Sequence, residues 1–367
     1  ALDRLDKDLD AVDAYGKVLE IDPTDQEALK NLSVVLFSMR RYDDALERAT
    51  AGSTLYPGDP TFWKVKGDSL FSLNRHDEAV EAFTKAIEIE PNDKRVWYSK
   101  GLALESAKRF EEAVACYDQA IQIDPSDKNL WISKGVTLEW LERNNDALKS
   151  YDQALSLDEA NRFVHFRRGG VLAKLGRHDE AVVSFDRSLE IMPKDLEVLE
   201  AKKQSLKHMG RNEEIVKVSD AIIKLDPKNK SAWIDRGIAS QKANQIDEAI
   251  RSFDRALELD PHDVAVLEHK RGAVVSKGVP SEIVDMCNAV IKVDPKNKRA
   301  YVDRGAALEK LGRLEEAVES YNVAIQIDGM DKSVHNLKGL ALVSLGRYGE
   351  AVESFDFESF NTGDYFG

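Results

Sequence analysis

Apolar residues recur along this chain at helical spacing, and the pattern restarts every 34 residues over almost its whole length. In the stretch from Lys94 to Asp127, Trp97, Gly101 and Leu104 fall on one face of a first helix. Ala113, Tyr117, Ala120 and Ile121 fall on one face of a second. In the same frame, blocks begin at Gln26, Pro60, Lys94, Lys128, Arg162, Leu196, Lys230, Val264, Lys298 and Lys332, without an insertion or deletion. A unit this short cannot bury its apolar face alone and must stack on its neighbours, so the period predicts a solenoid of helical hairpins.

The junctions carry matching signals. Positions 31 and 32 of the block usually read Asp-Pro, as at Asp124-Pro125 and Asp226-Pro227. Proline disfavours helix in the residue before it and ends the second helix. Position 34 is Asp or Asn in every block, from Asp25 to Asp331, and can cap the first helix that follows. The second helix opens with acids such as Asp77-Glu78 and Glu315-Glu316, which suit the positive end of a helix dipole. Glycine stands at position 8 in most blocks (Gly67, Gly101, Gly135, Gly169, Gly237, Gly305, Gly339) and alanine at position 20. Glycine inside a helix costs about 1 kcal/mol relative to alanine, so its recurrence predicts close approach of the paired helices.

These positions resemble the tetratricopeptide repeat family: a large group at 4, Gly at 8, Leu at 11, Ala at 20, an aromatic at 24, Ala at 27 and Pro at 32. Trp131, Gly135, Leu138, Ala147, Tyr151 and Ala154 carry the match in one block, which departs at Glu159 where Pro is expected. The resemblance implies an all-α fold, a right-handed superhelix of antiparallel helix pairs whose first helices line a concave groove. The expected organisation is a single solenoid over residues 1–356. It comprises a partial repeat at 1–25, repeats over 26–331, a terminal partial repeat at 332–356, and a non-repeat aromatic and acidic tail at 357–367. That tail could fold over the end of the array, enter a neighbouring molecule's groove in self-association, or reflect where the chain was cut.

Two blocks break the pattern together. Lys203 and Arg271 replace Gly at position 8, and Ile215 and Ile283 replace Ala at position 20, which predicts helices pushed apart there. Duplication of a two-repeat unit and a tuned curvature both account for this super-period. Position 7 is basic (Lys66, Lys100, Lys134, Arg168, Lys202, Arg236, Lys270, Arg304, Lys338), and position 25 is often acidic. Residues whose positions sum to about 32 should meet in an antiparallel hairpin, predicting pairs such as Lys134–Asp152 and Arg236–Asp254 within one repeat. A base paired in this way is not a ladder for nucleic acid.

Composition narrows the function. The chain has 367 residues, 43% hydrophobic, with a net charge of −14; a general nucleic-acid binder would be basic. No run of about 18 apolar residues exists, so no membrane span is expected. Ala1 begins inside a repeat with no secretory signal, as an excised fragment would. The two cysteines, Cys116 and Cys287, fall on apolar helix positions and read as buried reduced thiols, which favours a cytoplasmic setting.

Signatures of catalysis are missing: no Gly-rich phosphate loop, no HExxH, no GxSxG. The seven histidines form no helix-spaced ligand set and read as solvated; no metal or cofactor is expected. The groove, as the resemblance implies, is lined by positions 2, 5, 6, 9, 12 and 13 of the first helices. Phe71, Tyr98, Leu102, Ile132, Val136, Trp140, Phe163 and Phe166 fall there and form a candidate apolar partner site. Farther along, Glu197, Glu200, Asp235, Glu268 and Asp303 mix with bases, an acidic stretch suited to basic flanks of a partner. The carboxylate clamp of chaperone-tail binders fails, because Lys30 is followed by Val34 and Lys64 by Asp68. The asparagine ladder of glycosyltransferase-type arrays fails too, position 6 reading Asn31, Val65, Ser99, Ser133 and Arg167. Three functional readings follow. The first is a non-catalytic scaffold that binds an extended or helical peptide in its groove. The second is a regulatory or targeting arm of an enzyme lying outside this sequence. The third is single-stranded RNA binding, which the net acidity opposes.

Overall fold

The computed structural model describes residues 2–356, with side chains from residue 8 onward. The C-terminal tail, and with it the expected self-association through Phe357, Phe360, Tyr365 and Phe366, lies outside the described residues. The chain divides after Pro193 into two compact units.

The first unit opens with α1 (Leu2–Ile21) and continues as five hairpins. These are α2 (Gln26–Ser38) with α3 (Tyr42–Leu55), and α4 (Pro60–Ser72) with α5 (His76–Ile89). Next come α6 (Lys94–Ser106) with α7 (Phe110–Ile123), and α8 (Lys128–Trp140) with α9 (Asn144–Leu157). The last pair is α10 (Arg162–Lys174) with α11 (His178–Ile191). The second unit holds five more. Its pairs are α12 (Leu196–Met209) with α13 (Asn212–Leu225), α14 (Lys230–Lys242) with α15 (Ile246–Leu259), and α16 (Val264–Lys277) with α17 (Pro280–Val293). They are followed by α18 (Lys298–Lys310) with α19 (Leu314–Ile327), and α20 (Lys332–Ser344) with α21 (Tyr348–Phe355). Within each unit every helix packs on the next, the arrangement of an all-α solenoid.

Local chemistry sets the ends of these helices. All ten first helices after α1 are capped by the position-34 Asp or Asn, whose side chain accepts from a backbone amide two or three residues on. Asp25 accepts from the Ala28 amide at 2.7 Å, for example. The turn inside each hairpin needs a left-handed residue at position 15. Five blocks supply glycine (Gly176, Gly210, Gly278, Gly312, Gly346) and five supply Arg40, Asn74, Lys108, Glu142 and Asn244. Most second helices start at an arginine that pairs with the acid three residues on, as Arg75 does with Glu78 and Arg313 with Glu316.

The core lies between first and second helices, and the two small-residue positions occupy it differently. The position-20 alanines are buried completely or nearly so. Each position-8 glycine lies against the aromatic ring at position 24 of its own hairpin, where an added Cβ would come within 2.4–2.6 Å of the ring. The glycine thus admits the ring of the second helix against the first, and the paired helices approach closely there. The two exceptional blocks exchange these volumes: Lys203 stands opposite Ser219 and Arg271 opposite Cys287, small residues replacing the ring. Both cations are buried, and the pairs α12/α13 and α16/α17 are less closely packed than the other hairpins, as the larger residues require.

Candidate partner-binding face

The first helices stack side by side: α2 on α4, α4 on α6, α8 on α10, and in the second unit α14 on α16 and α18 on α20. Within each unit these neighbouring first helices carry the positions 2, 5, 6, 9, 12 and 13 that are expected to line a groove. In the first unit Trp140 is 65% exposed and Phe163 44% exposed on these helices. Phe71, Tyr98, Leu102, Ile132, Val136 and Phe166 are half-buried. Two of these owe their burial to the aromatic at position 24 of the same hairpin. Tyr98 tilts onto Tyr117 with ring centroids 5.9 Å apart, and Phe166 onto Phe185 at 6.2 Å. Phe71 sits beside His76 at 5.5 Å. Trp140 stacks nearly parallel on Phe110 of the preceding repeat, at 6.1 Å and 7°. That support was not visible in the sequence, because Phe110 belongs to a second helix.

The face is polar at chosen points. Where position 24 is tyrosine, position 12 is glutamate: Tyr117 donates to Glu105 at 2.9 Å and Tyr151 to Glu139 at 2.5 Å. Where position 24 is phenylalanine, position 12 is uncharged, as in Phe83 with Phe71 and Phe185 with Ala173. Glu139 also accepts from Arg167 at 3.0 Å, so its nearly buried carboxylate is doubly held. The covariation is present in the sequence, but only the structure shows that positions 12 and 24 touch.

Three expectations are corrected. The position-7 bases that pair with a position-25 acid take it from the preceding repeat, not from their own hairpin. Lys134 meets Asp118 at 2.5 Å and Arg168 meets Asp152 at 2.7 Å; in the second unit Arg236 meets Asp220 and Lys270 meets Asp254, both at 2.6 Å. Asp152 and Asp254, predicted partners of Lys134 and Arg236, are held by the next repeat's base instead. The facing rule holds for positions 8 and 24, but position 7 lies about 100° away around the helix and points at the preceding second helix. Solvated histidine fails for His165, which is nearly buried; its Nε2 lies 2.8 Å from the Glu159 carbonyl. It stands where Trp131 donates to the Pro125 carbonyl at 3.0 Å, and His335 makes the same contact with Gly329.

The acidic stretch of the second unit is the third. Lys203 binds Glu200 at 2.7 Å and Asp235 at 3.1 Å, while Lys207 binds Asp235 at 2.7 Å. Arg271 forks onto Glu268 and reaches Asp303. Four of the five acids read as a basic-flank site are thus engaged inside the fold.

Among the described residues no group of three or more His, Cys, Asp or Glu could hold a metal. Cys116 and Cys287 are free and buried, and burial pushes both thiols up to about 11. No helix among the described residues is long and apolar enough to cross a membrane.

Stacked helix hairpins of this kind, with an open first-helix face, define a repeat solenoid. The tetratricopeptide repeat profile matches residues 30–94, 64–128, 140–195 and 287–332, and a second tetratricopeptide repeat profile matches 231–263. The chain belongs to the tetratricopeptide repeat family. No curated protein matches it in sequence. Among solved structures, the C-terminal part of a TPR repeat-containing protein from Cytophaga hutchinsonii is 14% identical with a TM-score of 0.51, over 65% of this chain and 97% of that one. YrrB, described as a TPR protein with an unusual peptide-binding site, is 26% identical with a TM-score of 0.46, over 52% and 99%. MamA from Desulfovibrio magneticus RS-1 is 20% identical with a TM-score of 0.43, over 45% and 94%. Family membership supports a protein-interaction scaffold as the class of function.

Proposed function

We propose that the first unit binds an extended or short helical segment of another protein on its first-helix face, without catalysis. Tyr98, Ile132, Trp140 and Phe166 are the anchors, with Phe71, Leu102, Val136 and Phe163 around them. The observation that carries this reading is Trp140: a large indole left 65% exposed on a face of half-buried apolar residues. Such a side chain, supported on one flat side by Phe110, offers contact area at low cost in conformational freedom. A backbone already ordered by stacked hairpins lowers the ordering cost of binding further. The net charge of −14 favours a protein partner over nucleic acid, and the reduced cysteines favour a cytoplasmic setting.

The test is a pull-down from the source cell comparing wild type with the double variant Trp140→Ala, Phe166→Ala, read by mass spectrometry. Loss of one or more partners is expected. Recovery of the same partners in the same amounts by a variant that is still folded removes these anchors from the account.

A further inference from the structure

The ring that locks an ordinary hairpin is missing from two hairpins of the second unit. In α14/α15 and α18/α19 the rings of Phe253 and Tyr321 lie against Gly237 and Gly305. In α12/α13 and α16/α17 the same two positions hold Lys203 with Ser219 and Arg271 with Cys287. In compensation, α13 packs more closely on α14, and α17 on α18, than α15 and α19 do on the first helices that follow them. By packing, each of these two second helices belongs to the next repeat rather than to its own.

What spans the loosened joints is ionic. Lys203 is fully buried and reaches from α12 to Asp235 on α14, at 3.1 Å. Arg271 reaches in the same way from α16 to Asp303 on α18. Glu200 and Glu268, each on the cation's own helix, hold the other side at 2.7 Å. Asn229 and Asn297 in turn donate to those acids, at 3.3 and 3.0 Å. In no other block does position 8 carry a base or position 6 an aspartate.

Space lies beside both ion pairs. A cavity of about 130 Å³ is lined by Lys207 of α12, Ile215 of α13 and Asp235 of α14. A cleft of about 620 Å³ crosses α14, α16 and α18 and is lined by Arg271 and Asp303. An interdigitated ring and glycine fix a whole contact, whereas an ion pair ties two helices at one point. Side chains beside free space can shift without overpacking.

We infer that α12/α13 and α16/α17 are hinge joints, two repeats apart, about which α13 to α16 turn as one block. The pairs Lys203–Asp235 and Arg271–Asp303 are the struts that hold the joints closed. Breaking a buried ion pair is costly, so the closed setting is the resting one. The cleft beside Arg271 and Asp303 lies across the second joint, and hinge motion changes its width. The inference concerns the second unit and does not depend on the partner face proposed for the first.

The experiment measures spin-label distances in the full chain by double electron–electron resonance. Labelled cysteines replace exposed residues at the open end of each hairpin. Glu197 with Lys224 and Ala265 with Lys292 report the two joints; Ser231 with Glu258 and Arg299 with Gln326 report the ring-locked hairpins. Native Cys116 and Cys287 are buried and escape the label. Wild type is expected to give broader distance distributions at the joints than in the ring-locked hairpins. Lys203→Gly with Ser219→Phe, which restores ring and glycine, should narrow the first joint to the ordinary width. Asp235→Asn should lengthen or broaden the distance from position 197 to position 231, across the strut. Circular dichroism admits only variants with wild-type helicity, and the wild-type comparison stands without them. Equal widths in all four hairpins overturn the hinges. A first joint that stays broad after the ring is restored overturns the missing ring as their cause, and an Asp235→Asn chain with an unchanged distance overturns the strut.

Discussion

Substituting Gly135 by alanine isolates the contact on which each ordinary hairpin is built. The added Cβ would lie 2.6 Å from Cε1 of Tyr151 and 2.9–3.0 Å from two further ring atoms. The ring cannot swing away, because it is fully buried and its hydroxyl is held by Glu139. Overpacking of this kind costs about 1–3 kcal/mol, and the gain in helix propensity returns about 1 kcal/mol. The net expectation is a loss of up to about 2 kcal/mol. Gly170 is the internal control: it lies in α10, and nothing stands within 4 Å of the Cβ it would carry, so Gly170→Ala should gain about 1 kcal/mol. Guanidinium denaturation followed by far-UV circular dichroism reads both as shifts of the midpoint, which stays meaningful even where a repeat array is not strictly two-state. Adding Tyr151→Leu to Gly135→Ala should recover most of the penalty as a coupling between the two sites. The reasoning fails if Gly135→Ala is as stable as Gly170→Ala, or if the coupling is absent.

Two further outcomes follow from the geometry. Because the folded Asp68 carboxyl is raised from 3.8 to about 6, its charge opposes folding. Stability is full below the unfolded value and falls as pH rises through about 6, by at most about 3 kcal/mol. Asp68→Asn should therefore raise the melting temperature at neutral pH and leave it nearly unchanged at about pH 4; an equal effect at both excludes the carboxyl as the cause. Glu142 holds the turn between α8 and α9 at φ 56°, a conformation that costs a side chain about 1 kcal/mol and glycine little. Glu142→Gly should raise the denaturation midpoint slightly, and a lowered midpoint would show that Glu142 contributes contacts worth more than the strain.

Much of this protein was determined locally and was legible as sequence. Helix starts at Asp25, Asp127 or Asn297 follow from a side chain reaching an amide two or three residues away. Helix stops at Asp-Pro follow from proline's own covalent geometry. The period itself requires stacking, because one hairpin cannot bury its apolar face alone. Which side chains meet across helices was decided by the fold. A one-residue step turns a side chain by about 100°, so Gly135 faces Tyr151 in its own hairpin while Lys134 beside it reaches back to Asp118 of the repeat before. The same applies to Lys203 lying buried between Glu200 and Asp235 and to Trp140 leaning on Phe110. It applies equally to Asp68, which meets no donor among the described residues. Spacing along one helix specifies a face, whereas the neighbour facing it comes from another helix whose rotation only tertiary packing sets.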